Sequence, residues 1–369
     1  MKKNLLIQLE NKMSLKSFFR KVNQIANEGY IRESIITGLI TNTTNLEGNI
    51  LFNGTLINLR GEILREHQFK NLGIYYKNYY IAQDKYEGSK WGLFDKKTDK
   101  TIWIKKEPIH HEILVTPQET IITFSKETKT YKKREVDFDT ILEYDFKGKL
   151  LNKFSTYDNL DEFQQHHKKL ELDIPPLPFL KEKSRRNTAS PWSGFYDYYR
   201  LNSMQIIPKN SLKDKRFQEG NWLLSCRHGS LIFILDKKTK HIVYSLNQHS
   251  IKSQIQGQHG VQMLENGNLL IFDNGRYKEE SRILELNPIT KEIKYEYKNN
   301  FFTKSQGYVQ KIKDNTYLIT QSELGKIVLI ENNIVTWEYI NEELQNKSNS
   351  NYENNYGKPL WIYRAIYYK

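Results

Sequence analysis

An all-β, six-bladed β-propeller preceded by a short helical segment is the fold this sequence predicts, on three observations. After residue 29, short apolar runs separated by turn residues recur along the whole chain. The runs fall into self-similar units whose period is about 46 residues in the clearest three, in the range of a four-stranded propeller blade. A unit of that size cannot cover both faces of its own sheet, so neighbours must stack around an axis. A pair of β-sandwiches is the competing architecture, but sandwiches require no self-similarity.

Composition narrows the class. The 369 residues suffice for two ordinary domains or one large repetitive one. Cys226 is the single cysteine, which excludes an internal disulfide and a thiol-ligated zinc site. The opening MKKNLLIQLENKM has the lysines of a secretory n-region, but its apolar run breaks at Gln8 and Glu10 and no small-residue cleavage site follows; a cytoplasmic chain is expected. No apolar run approaches the roughly 18 residues of a membrane span, so no membrane partner is expected. The net charge of +13 fits a polyanion partner or a small anionic substrate. Because the lysines are scattered among Asn, Ile and Tyr, they read as solvated strand faces and edges, and nucleic acid is disfavoured. The one tight cluster, Lys129 to Arg134, reads as an exposed hairpin tip.

In chain order, residues 1–29 place Leu5, Leu6, Leu9, Met13, Leu15, Phe18, Phe19, Val22, Ile25 and Ala26 at spacings of three and four, which predicts one or two short amphipathic helices stopped at Gly29. Residues 30–369 form the propeller. Its first unit covers Asn49 to His67. The second runs from Tyr79–Ala82 through Trp91–Asp95 to Thr101–Trp103, and the third from Thr120–Thr123 through Thr140–Asp145 to Lys149–Leu151. The charged, proline-rich stretch 158–196 then interrupts the rhythm as a long inter-blade insertion, either a solvated excursion or a lid or partner-binding loop. Three clear units follow: Leu223–Ser225 with Ser230–Asp236 and His241–Tyr244, Leu269–Phe272 with Arg282–Asn287 and Glu292–Tyr295, and Tyr317–Thr320 with Lys326–Ile330 and Ile334–Trp337. The last apolar run, Trp361 to Tyr367, is expected to close the ring against an early blade.

Within the fifth unit, Gln258 to Gly275 reads QHGVQMLENGNLLIFDNG. Asn266-Gly267 between apolar strands predicts a β-hairpin with a type I′ turn, and His259 stands at its mouth.

One set of residues carries a resemblance. The order Asp197-Tyr198-Tyr199-Arg200-Leu201-Asn202-Ser203, Gln258-His259-Gly260, Asn266-Gly267-Asn268, Phe272-Asp273-Asn274-Gly275, Ser281-Arg282-Ile283-Leu284-Glu285, Gln306-Gly307 and Tyr363-Arg364-Ala365 resembles the bacterial arylsulfate sulfotransferase (ASST) superfamily over roughly 110–369. That resemblance implies a six-bladed propeller with its site at the central channel. It also implies transfer of a sulfuryl group from an aryl sulfate ester to a phenol acceptor through a transient sulfohistidine, without a nucleotide donor or other cofactor.

Such chemistry builds negative charge on three equatorial oxygens and a leaving phenoxide, so it needs converging cations and a proton donor or acceptor at each end. The catalytic candidates are His259, which matches the family's channel histidine, Arg276, which is similar to its anion-binding arginine although the spacing after Gly275 also allows Arg282, and Arg200. The substrate-binding candidates are Asn202, Arg282, His110 and His111. Two departures stand out. Arg200 occupies a position where the family usually has histidine, which keeps a cation but removes a base. The loop Lys298 to Tyr308, where the family's sulfate-accepting histidine is expected, contains none.

A catalytically degenerate anion-binding or protein-interaction propeller is therefore the alternative. Adjacent residues on a strand face opposite ways, so only one of His110 and His111 is expected to reach the axis. His67, His166, His167, His228, His241 and His249 read as loop histidines. Glu112 beside His111 offers too few ligands for a metal site, and none is proposed. No Gly-rich phosphate loop or Ser-centred elbow occurs, which disfavours nucleotide-dependent chemistry.

Overall fold

Six antiparallel sheets circle a central axis as the blades of a β-propeller, one for each repeat unit. The computed structural model describes residues 38–84, 90–166, 195–341 and 361–369. The helices expected in 1–29 and most of the 158–196 insertion lie outside these residues; the described start of the insertion carries one short helix, Leu160–His166.

From the axis outward, blade 1 consists of Ala365–Tyr368, Asn49–Phe52, Thr55–Asn58 and Ile63–Glu66, and blade 2 of Gly73–Tyr76, Tyr79–Gln83, Trp91–Asp95 and Thr101–Lys105. Blade 3 contains His110–Val115, Ile121–Tyr131, Arg134–Tyr144 and Leu150–Ser155, and Tyr196–Asp197 pairs in parallel with its third strand. Blade 4 contains Leu201–Ile206, Trp222–Cys226, Leu231–Leu235 and Ile242–Leu246, and blade 5 His259–Met263, Leu269–Asp273, Arg282–Leu286 and Ile293–Tyr297. Blade 6 comprises Tyr308–Lys313, Thr316–Gln321, Lys326–Glu331 and Ile334–Ile340.

The ring is closed twice. Gly38–Asn42 adds a fifth strand to the outer edge of blade 6 by pairing with Ile334–Ile340. The late strand Ala365–Tyr368 supplies the inner edge of blade 1, with Ala365 opposite Phe52 and Tyr368 opposite Asn49. The expected closing run is therefore real, but only its last part is strand.

Burial follows from the stacking. Middle strands are covered on both faces, so Leu231–Leu235 is buried at every position, while the outermost Leu150–Ser155 is largely exposed. This is why the middle strands read as unbroken apolar runs rather than alternations. Among the described residues the core is divided into six apolar layers, one between each pair of neighbouring blades. Phe138, Phe163 and Phe233 fill the gap between blades 3 and 4, and Trp91 and Tyr144 share that between blades 2 and 3.

The hairpin of blade 5 departs from expectation in its turn. Gly267 donates to the Leu264 carbonyl at 2.9 Å and Leu264 to the Asn268 carbonyl at 2.9 Å, and Gly267 alone of the turn residues has positive φ, at +81°. This is a three-residue loop with glycine at the bulge position, not a type I′ turn. Leu212 packs onto Gly267, and its Cγ lies 2.5 Å from where a Cβ would stand.

Candidate functional site

Three inner strands open on an irregularity at the same end of the channel. Register shifts mark the starts of blades 3, 4 and 5, opposite Thr123/Phe124, between Leu201 and Ser203, and between His259 and Gln262. Backbone φ is positive there at His111 (56°), Arg200 (55°) and Gly260 (59°), and at Gln306 (64°) where blade 6 begins. A bulge breaks the two-residue alternation of a strand and re-aims the side chains beside it. In a regular strand His110 and His111 would diverge; with His111 left-handed, both are buried and their Nδ1 atoms lie 2.8 Å apart.

The bulges gather a buried polar group. His110 Nε2 lies 3.2 Å from the Ser125 carbonyl and 3.3 Å from Asp139 Oδ1. The rings of His111 and His259 face each other with centroids 6.5 Å apart. His259 is fixed from both sides: Nδ1 donates to Asn274 Oδ1 at 2.7 Å and Gly257 O at 3.0 Å, which leaves Nε2 to accept from the Gln306 N–H at 3.2 Å. Asp197 holds two cations, Arg200 through Nη1 at 3.1 Å and Lys126 through Nζ. Burial raises the Asp197 pKa, but Lys126 and Arg200 outweigh it and bring the group down to about 2.

His111 and His259 are kept neutral. Burial, reinforced by His110, Arg200, His259 and Lys126, holds His111 well below its ordinary pKa. Burial and Arg227 bring His259 down to about 3 against the opposing bonds to Asn274 and Gly257. The permanently charged side chains that weigh most on His111 are Arg200 and Lys126, and on His259 Arg227 and Arg200. These four leading effects are all cationic, which opposes protonation of either ring.

The other nominated residues divide. Asn202 is buried beside the group, its Nδ2 donating to Gln258 O at 2.7 Å while its Oδ1 has no hydrogen-bond partner. Arg276 is half-buried on the rim and packs on Gly257; a Cβ at Gly257 would lie 2.6 Å from Arg276 Cδ. Arg282 is not brought into the cluster. It bonds Asp273 Oδ2 at 2.8 Å, Glu296 Oε1 at 2.7 Å and the carbonyls of Ser253 and Gln254, which ties blade 5 to the loop before it.

Sequence reasoning missed Lys126, Arg227, His228 and Asp139. Arg227-His228 follows the second strand of blade 4 just as Asn274-Gly275-Arg276 follows that of blade 5, so aligning the loops as well as the strands points to it. Lys126 and Asp139 carry no comparable signal, because they enter the site only through the long second hairpin of blade 3.

Beneath the cluster runs a channel cavity of ≈ 330 Å³ walled by all six inner strands, with Tyr75, Tyr76, Tyr308 and Tyr368 in its lining. Its lining includes Glu112, Ser203 and Gly260, each the residue after His111, Asn202 and His259. Glu112 also pairs with Arg364 there, at 2.7 Å between Oε1 and Nη1, and Arg364 stacks on the Tyr308 ring at 4.5 Å.

Residues 82–342 match the family model described as Arylsulfotransferase (ASST). No curated protein matches the sequence. Among solved structures, a protein of unknown function from Bacteroides caccae is 14% identical with a TM-score of 0.52, the match covering 87% of this chain and 99% of that one. The β-propeller domain of Myceliophteria thermophila Cps50 (Swd1) is 12% identical over 82% of this chain and 84% of its own, with a TM-score of 0.41. A catalytically inactive virginiamycin B lyase from Staphylococcus aureus with quinupristin is 13% identical over 82% and 88%, also at 0.41.

Proposed function

The chain belongs to the arylsulfotransferase (ASST) family, and from that premise we propose that it transfers a sulfuryl group from an aryl sulfate ester to a phenol at the bulged end of its channel. The observation that carries this reading is that the charged side chains weighing most on the His111–His259 pair, Arg200, Lys126 and Arg227, are all cations. Sulfuryl transfer spreads negative charge over equatorial oxygens, and fixed cations in a water-poor site stabilise that charge without reorganising. Asp197 holds Arg200 and Lys126 in place, so their geometry is set before substrate arrives.

Several residues at this end take roles consistent with their positions. Arg200 and Lys126 face the sulfuryl oxygens, and Arg276 at the rim meets the incoming ester. His259, with both nitrogens engaged, serves as a positioning residue that fixes the Gln306 amide. The open acceptors Asn202 Oδ1 and Gln306 Oε1 suit the O–H of an acceptor phenol.

The test is turnover of a chromogenic nitrophenyl sulfate in the presence of phenol. The wild type should release nitrophenolate and form phenyl sulfate, and Arg200→Ala should lose about 10²-fold or more of that rate. A wild-type rate no greater than that of Arg200→Ala would leave the reading without support. Binding of the ester without turnover would favour an oxyanion-binding propeller.

A further inference from the structure

His228 stands in the loop between the second and third strands of blade 4 and is held on several sides. Its Nδ1 lies 3.1 Å from the Tyr198 carbonyl, its ring stacks on Tyr196 at 5.5 Å, and its backbone N–H donates to Tyr199 O at 3.2 Å. A carbonyl only accepts, so Nδ1 carries the proton and Nε2 the lone pair. That Nε2 is buried and has no hydrogen-bond partner, in a residue only 9% exposed. Buried acceptors are nearly always paired, so one left open beside fixed cations calls for a use.

The surroundings supply one. Arg227, next in the chain, donates its N–H to the Arg200 carbonyl at 3.0 Å, and the segment packed under His228 carries Asp197 and Arg200. The other histidines of the group are wholly or partly engaged. His259 spends both ring nitrogens on Asn274, Gly257 and Gln306, His110 spends both on its neighbours, and His111 spends Nδ1 on His110. Burial, opposed by Asp197 and helped by Arg227, brings His228 down to about 3, so its lone pair is available at neutral pH.

We propose that His228 Nε2 is the atom that accepts the sulfuryl group, so that this chain carries its nucleophile on blade 4. The assignment rests on the sulfuryl-transfer reading above. In the first step the Nε2 lone pair forms an N–S bond while the S–O(aryl) bond breaks, and the phenoxide leaves with that electron pair. Nδ1 keeps its proton, and the positive charge that develops on the ring is stabilised by the Tyr198 carbonyl and Asp197. In the second step an acceptor phenol passes its proton to the departed phenoxide and its oxygen attacks sulfur. The N–S pair returns to Nε2, which regenerates neutral imidazole with no other reactant.

The test uses full-length protein and nitrophenyl sulfate without acceptor. The wild type should release a burst of one nitrophenolate per chain, and peptide mass spectrometry after alkaline quench should find the mass of one SO₃ on the peptide bearing His228. His228→Gln should lose turnover by about 10³-fold or more, and His228→Gly should regain part of it with added imidazole. An SO₃ group mapped to another residue, or a His228→Gln variant within about tenfold of the wild type, overturns the His228 assignment and leaves sulfuryl transfer standing. A wild type that releases no nitrophenolate, with or without phenol, overturns both. Mapping on the wild type decides the matter even if the variants fail to fold.

Discussion

Glu112 and Arg364 form a buried ion pair across the channel, and removing one partner should cost far more than removing both. Their side chains are 4% and 8% exposed. Arg364 reaches the carboxylate through two nitrogens, at 2.7 and 3.3 Å, and also donates to His111 O, while Glu112 Oε2 accepts the Met204 N–H at 3.1 Å. Glu112→Gln keeps the shape but leaves a guanidinium buried beside a neutral amide, a change expected to cost ~3–5 kcal/mol. Arg364→Met strands the carboxylate and should cost a similar ~3–5 kcal/mol. The double variant Glu112→Leu/Arg364→Met removes both desolvation penalties and orphans only the Met204 N–H, so ~1–3 kcal/mol is expected, against ~6–10 if the single effects added. Urea unfolding followed by tryptophan fluorescence, at equal m-values, measures all three. Single variants costing under about 1 kcal/mol, or a double variant equal to the sum within about 0.5, would refute this account of the pair.

Two further outcomes follow from the fold and the site. His228 and His259 are both held at about 3 when folded, against an ordinary 6.5 when unfolded. Between those values the unfolded chain binds more protons, so stability should be complete above pH 6.5 and fall as pH drops, by about 1.4 kcal/mol per unit for each histidine. Urea titrations from pH 7 to 5 should show a shallower loss in His228→Asn and His259→Asn, and an unchanged slope would contradict the burial assigned to them. Removing residues 361–369 takes away the inner strand of blade 1 and uncovers Ile50 and Phe52. Cooperative unfolding should then be lost, and a truncated protein that melts within about 2 °C of the full chain would show that closure does not depend on that strand.

Backbone patterning made the architecture legible. Each repeat unit became one blade, because a sheet that must be covered by its neighbours needs continuous apolar middle strands, and those runs are local in the chain. The closing role of the last apolar run was readable for the same reason. His259, Arg200 and Asn202 were nominated from the motifs that start inner strands, and the structure gathers them with His110 and His111 at one end of the channel. Arg282 was not distinguishable in advance, since an arginine that ties its own blade together and one that faces a ligand occupy the same kind of position.

The sequence by itself determined that six units repeat and that basic residues recur where inner strands begin. Tertiary structure alone decided which of those residues meet. A single left-handed residue at His111 turned two side chains that should diverge into neighbours, and the blade 3 hairpin delivered Lys126 and Asp139 from outside any motif. It alone left His228 Nε2 unpaired and tied up both nitrogens of His259. The physical reason is that strand formation follows from local periodicity, whereas the hydrogen-bond partners of a buried polar atom come from blades far apart in the chain and are fixed only when the ring closes.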